Sequence, residues 1–240
     1  MCIRDRTGLT ATVVTSWPQQ STDACRSTYR IASWDRLSAL QQNYNWSFVS
    51  GSRDYINLTQ VSSAVASSEI CGSAADLQQH GLGGGLGEFA YPDNRTNSSL
   101  QQLALGCGFD FGRVYSGVAN PVPVPSPYLL GTYSLNGGAC ADPMQSCYTL
   151  SSRFHYTDPA VLESNMAVKP GTWRVVQGYT FVTGADVSSA RAWDCTSPDW
   201  RQHWTAGPLA TEMYCWTDWQ TALSHVSNVV FVTPSQMTTR

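Results

Sequence analysis

A β-rich α+β fold, with antiparallel sheets, several short helices and disulfide staples, is what this sequence predicts. Three observations carry that expectation. Runs rich in β-branched and aromatic residues alternate in hydrophobicity, as half-buried strands do. Short apolar stretches are preceded by helix-capping residues. The eight cysteines include no C-x-x-C pair, so the pattern favours crosslinks over a zinc site.

The elements follow in chain order. Thr10–Ser16 (Thr-Ala-Thr-Val-Val-Thr-Ser) reads as a strand, and Asp35–Gln42 as a helix with Leu37 and Leu40 on one face. Ser73 caps a helix over Ala74–His80 that Gly81 stops, and Asn97 or Ser98 caps another over Leu100–Leu105 that stops at Gly106. Arg113–Val118 and Tyr128–Leu135 read as strands. Between them, Pro121, Pro123, Pro125 and Pro127 force extended chain and forbid a central strand. Asp158-Pro159 opens a further helix. Thr172–Thr183 gives the clearest alternation, with Gly178 as a bend inside one long strand. Thr217-Asp-Trp-Gln220 is a capping box that leads through a helix to a strand at Val229–Thr233.

Met1-Cys2-Ile3-Arg4-Asp5-Arg6 matches a translated sequencing-library adapter and is read as an artefact outside the fold, pointing to a metagenomic source. The remaining 7–240 is expected to be a single domain with two lobes joined near the Pro-rich segment 119–127.

Charged residues make up only 13% of the 240-residue chain and the net charge is −3, which argues against nucleic-acid partners. No apolar run reaches the roughly 20 residues of a membrane helix. Lys169 is the sole lysine, and a surface of Ser, Thr, Gln and Asn suits an extracellular or virion environment. Cys140 and Cys147 are the expected local disulfide, across the turn at Ala141-Asp142-Pro143. Asn45, Asn57, Asn94 and Asn97 each begin a glycosylation sequon, as in a secreted glycoprotein.

Several chemistries are excluded. No P-loop, H-E-x-x-H or G-x-S-x-G motif exists, and Gly81-Leu-Gly-Gly-Gly-Leu-Gly87 reads as a flexible loop rather than a phosphate cradle. His80, His155, His203 and His225 show no diagnostic ligand spacing, so no metal and no cofactor is expected. Tyr29-Arg30, then Phe48-Val-Ser-Gly-Ser52, then Glu88 resemble the arginine, Ser-Thr-Ser strand and glutamate of ADP-ribosylating toxins. Gly51 stands where that family has threonine, and the second acidic partner before Glu88 is missing.

Two functions remain. The first is an extracellular non-catalytic protein: a surface, filament or virion subunit, or a carbohydrate-binding module, with a glycan or a second copy of itself as partner. For it, Trp200 and Trp204 would stack on sugar rings while Asp199 and Arg201 bind hydroxyls. The second is a secreted carbohydrate-active hydrolase. Glu88, after the glycine loop, and Asp110, between Phe109 and Phe111, would be its paired carboxylates beside a Trp-lined cleft, because apolar surroundings perturb a pKa. Glu69 and Glu163 read as helix-surface residues.

Overall fold

The computed structural model describes residues 10–19, 32–83, 87–116, 119–134, 163, 166–177, 180–182 and 213–226. The chain forms two compact units, Met1–Val114 with Pro125–Leu130 and Val230–Arg240, and Tyr115–Val124 with Gly131–Val229.

The expected antiparallel sheets are not what forms. The main sheet has six strands, and each of its described pairings is parallel. The fold is therefore α/β, of the broad Rossmann-like kind in which parallel strands alternate with helices. Among the described residues the one antiparallel pair joins Asn120–Pro121 to Thr172–Trp173. The reason for the discrepancy is physical. Alternation along a strand reports which face is buried, whereas the direction of its neighbour is set by the connection. Parallel neighbours need crossovers of a dozen or more residues, and residues 14–46, 51–87 and 91–110 each supply one.

In the first unit the order is β1 (Thr10–Val13), β2 (Ser47–Ser50), β3 (Glu88–Ala90) and β4 (Phe111–Tyr115, with Tyr115 in the second unit), each next to its predecessor. Phe48, Val49 and Ser50 are all buried, as in a strand covered on both faces. A four-residue helix, α1 (Ser16–Gln19), follows β1, and α2 (Trp34–Tyr44) begins at the Ser33 cap. Asn45 closes α2 in the left-handed region. α3 (Ser63–Gln79) starts eleven residues earlier than its sequence suggested: Ser62, not Ser73, is the cap, and Ser73 lies buried inside the helix. α4 (Ser98–Gly106) is capped by the Asn97 side chain as expected, while Gly108 rather than Gly106 adopts the left-handed stop.

The helices cover one face of this sheet in two clusters. Ala66, Ile70 and Ala74 of α3 and Leu100 and Ala104 of α4 enclose Phe89, Tyr91, Phe109 and Val114. Leu37 of α2 and Leu77 of α3 pack with Val13, Phe48 and Leu82. The Phe89 ring lies 5.2 Å from both Tyr91 and Phe109, tilted or edge-on, as aromatic quadrupoles prefer. Gly112 is required by this packing, since a Cβ there would come within 2.5 Å of the Tyr91 hydroxyl and 2.8 Å of the Tyr128 carbonyl oxygen.

In the second unit, β5 (Asn120–Pro121) and β7 (Thr172–Trp173) form the antiparallel pair. β6 (Leu130–Ser134, whose Leu130 belongs to the first unit) pairs in parallel with β8 (Val175–Gln177), and β9 (Thr180–Val182) with β10 (Met213–Cys215). The buried Asn120 amide donates to the Gly131 carbonyl at 2.9 Å and accepts its N–H at 2.8 Å. α5 (Trp216–His225) begins one residue before Thr217, so the proposed capping box lies inside the helix. The Val229–Thr233 strand and the Asp158-Pro159 helix start fall outside the described residues.

Cys71 of α3 and Cys107, the C-cap of α4, form a disulfide, with Cα atoms 4.9 Å apart. It joins the two helices of the larger cluster. Closing a loop of this length restricts the unfolded chain by ~4 kcal/mol in the chain-entropy treatment. Reduction under native conditions, or the paired Cys71→Ala and Cys107→Ala change, is expected to lower the thermal midpoint by several degrees. An unchanged midpoint in a calorimetric scan would show that the crosslink does not constrain the fold.

Candidate functional site

Val13, Phe48, Phe89 and Val114 point into the helix-covered clusters, so pleating sends Thr12, Val49, Glu88 and Arg113 to the other face of the sheet. Thr12 pairs with Val49, and Ser50 pairs with Phe89, which sets Val49 beside Glu88. Glu88, the first residue of β3, therefore stands level with residues one short of the carboxyl ends of β1 and β2, and with Phe111, the first residue of β4. In α/β sheets, ligands bind beyond those carboxyl ends.

Glu88 is 2% exposed, and Arg113 Nε lies 2.6 Å from its Oε1. The other end of the same guanidinium donates from its NH2 group to Thr12 Oγ1, so one side chain of β4 reaches back to β1. That contact requires the sheet to curl, because three strand spacings of ~4.8 Å exceed an arginine's reach. Burial pushes the Glu88 carboxyl above the ordinary glutamate value of 4.5, while the charge and hydrogen bond of Arg113 oppose the rise. The net direction is upward because desolvation is the larger effect. Tyr91, just after β3, is pushed up to about 12 by burial and stays protonated.

A second polar constellation lies on the helix side. Arg53, after β2, donates from Nε to Asp76 Oδ2 at 2.9 Å and from its terminal nitrogen to Oδ1 at 2.8 Å. Thr15 Oγ1 donates to Asp76 Oδ2 at 2.7 Å. Burial alone would raise the Asp76 pKa, but the hydrogen bonds from Arg53 and Thr15 outweigh it and hold the carboxyl below its ordinary value. Gly72 makes room for this fork, since a Cβ there would come within 2.7 Å of the Arg53 guanidinium carbon. Ser50 and Ser73 hydroxyls meet at 2.6 Å. Glu69, expected on a helix surface, is 5% exposed and accepts the Asp54 N–H at 2.9 Å. These groups tie β1, β2 and α3 together beneath the loop that follows β2.

The two expected carboxylates differ in exposure. Glu88 is enclosed, whereas Asp110 is exposed in the bend ahead of β4, one residue before Phe111, the register partner of Glu88. Trp200, Trp204, Asp199, Arg201, Cys140 and Cys147 lie outside the described residues. Among the sequon asparagines, Asn45 and Asn97 are exposed and act as caps. Asn57 Oδ1 accepts both the N–H and the hydroxyl of Thr59, and Asn94 sits at φ 60° in the turn after β3. Glu163 Oε1 accepts from His225 Nδ1–H at 2.7 Å, in the second unit. Among the described residues no cluster of His, Cys, Asp and Glu could hold a metal, and no helix is long and apolar enough to cross a membrane.

The fold and this face define an α/β protein whose inner sheet surface carries a buried acid. No protein-family model and no curated protein matches the chain. Among solved structures, Streptococcus pyogenes deacetylase PplD in complex with acetate is similar at 22% identity and a TM-score of 0.41. The match covers 47% of this chain and 46% of that one.

A glutamate raised in the folded state binds its proton more tightly there than in the unfolded chain. Its contribution to stability is thus full at low pH and is lost as pH rises from 4.5 through the raised value. The stability of the wild type minus that of Glu88→Gln, followed by denaturant unfolding across pH, is expected to fall as pH climbs through that window. A signed difference that rises with pH would mean that Arg113 dominates and the carboxyl is lowered.

Proposed function

We propose that the chain is a hydrolase of carbohydrate substrates that uses Glu88 as its proton donor. The observation that carries the reading is the enclosed Glu88 beside Arg113, on the sheet face opposite the two helix-covered clusters and level with Thr12 and Val49. A carboxyl with a raised pKa keeps a proton to give to a leaving-group oxygen. Once the proton has left, the Arg113 guanidinium neutralises the carboxylate that forms, and the Thr12 hydroxyl holds the other end of that guanidinium in place. A second carboxylate must then activate water. Asp54 and Asp93 are exposed in the loops after β2 and β3, and Asp110 is exposed ahead of β4. The polar character of those loops suits a substrate made of hydroxyl groups. An extracellular setting, supported by the Cys71–Cys107 disulfide, fits such a substrate.

A second reading is a non-catalytic glycan-recognition protein of the cell exterior. This reading needs no proton on Glu88, whose pairing with Arg113 would then serve the fold alone.

Release of reducing ends from a panel of soluble polysaccharides separates the two. Glu88→Gln is expected to lower turnover at least ~100-fold, the usual scale of lost general-acid catalysis. Asp54→Asn, Asp93→Asn and Asp110→Asn then identify the base. Undiminished turnover in Glu88→Gln would remove Glu88 from the chemistry, and the absence of turnover on every polysaccharide would favour recognition.

A further inference from the structure

We infer that Tyr55 is a preorganised platform on which a sugar ring stacks, at the carboxyl edge of β2. The inference rests on the carbohydrate reading and assigns one subsite within it. Tyr55 is 44% exposed, among the largest apolar surfaces left open in the first unit. A singly exposed tyrosine is ordinary on a protein surface. Its backbone is not, because Tyr55 sits at φ 56° and Ser52, three residues before it, at φ 71°. The left-handed region is unfavourable for both residue types, and such conformations persist only where the surroundings determine them.

Here the surroundings do so bond by bond. The Gly51 N–H donates to the Val13 carbonyl at 2.8 Å, and the Ser52 N–H to Ser50 Oγ at 3.0 Å. The Asp54 N–H donates to Glu69 Oε2 at 2.9 Å, and the Tyr55 N–H to Ser52 Oγ at 3.0 Å. The carbonyls of Ser52 and Arg53 accept from Thr15 and Ser16 of the neighbouring chain segment. The Arg53 side chain is clamped by Asp76. The loop is thus fastened to β1 on one side and α3 on the other, and what it holds out is an aromatic ring with the exposed Asp54 beside it.

Among the described residues, that ring belongs to neither of the two hydrophobic clusters that pack the first unit. A rigid aromatic presented to solvent loses little conformational freedom on binding, so its contact area converts efficiently into affinity. An adjacent carboxylate accepts hydroxyl hydrogens, which completes the usual division of a sugar subsite into a flat apolar face and a polar edge. On the neighbouring strand, Asp93 and Asn94 follow β3 at φ 50° and 60°, so two adjacent loops at this edge are held in the same uncommon backbone region.

The test is calorimetric titration of soluble glucan, chitin, xylan and mannan oligosaccharides into the full chain carrying Glu88→Gln, which removes turnover from the readout. Tyr55→Phe is expected to bind as the parent does. Tyr55→Ala is expected to weaken binding by about threefold to tenfold. Ser52→Ala, which keeps the ring but frees its backbone N–H, is expected to weaken binding as well, with an unchanged melting profile for Tyr55→Ala as the folding control. Equal affinity in Tyr55→Ala and parent, or no binding of any of these oligosaccharides, overturns the inference. Binding that depends on Tyr55 in a chain that never hydrolyses would sink the hydrolase reading alone. Hydrolysis that is indifferent to Tyr55 would sink the stacking subsite alone.

Discussion

The contact on which the inner face of the sheet depends is the single guanidinium of Arg113, shared between Glu88 on β3 and Thr12 on β1. A buried carboxyl without a partner is costly, and so is a cation turned into a sheet interior. Joining them lets both occupy a surface that apolar side chains would otherwise fill. Because the same cation reaches β1, the strands it spans must curve toward one another. Shape and electrostatics are therefore one constraint here: removing Arg113 would release the curl and strand the acid together.

The other face is organised by opposite means. Phe89, Phe109, Ile70 and Leu100 supply the apolar bulk, while Asp76, Arg53, Thr15, Ser50, Ser73 and Glu69 form a polar seam between α3 and the first two strands. Such a seam adds little net stability over hydrophobic packing, but its directional bonds fix geometry. What it fixes is the loop after β2. The disulfide between Cys71 and Cys107 closes the neighbouring part of α3 onto α4, so one helix is anchored by three kinds of force along its length.

Local signals in the sequence located several elements well. The Asn97 cap, the helix around Leu37 and Leu40, and the strand at Thr10 were all legible, because each is written in a few adjacent residues. The direction of strand pairing was not, since Ser47-Phe-Val-Ser50 gives the same pattern in either orientation. The first half of α3 was hidden by its serines and alanines, whose pattern marks no apolar stripe, and Ser73 looked like a cap when it is a buried partner of Ser50. Glu88 was identifiable from its apolar neighbours. Arg113, 25 positions later, carried no sign that it would be the partner, and neither did Thr12. Asp110 drew attention by standing between two phenylalanines, yet Phe109 turns into the core while Asp110 itself remains in solvent.

The raised carboxyl at Glu88 is the central claim, because the proposed chemistry uses it. A carbon-detected NMR titration of the glutamate side chains, with the Glu88 signal assigned by its absence in Glu88→Gln, measures it directly. A midpoint above the ordinary 4.5 is the result this account requires. A midpoint at or below that value would show a permanently ionised structural pair and contradict it.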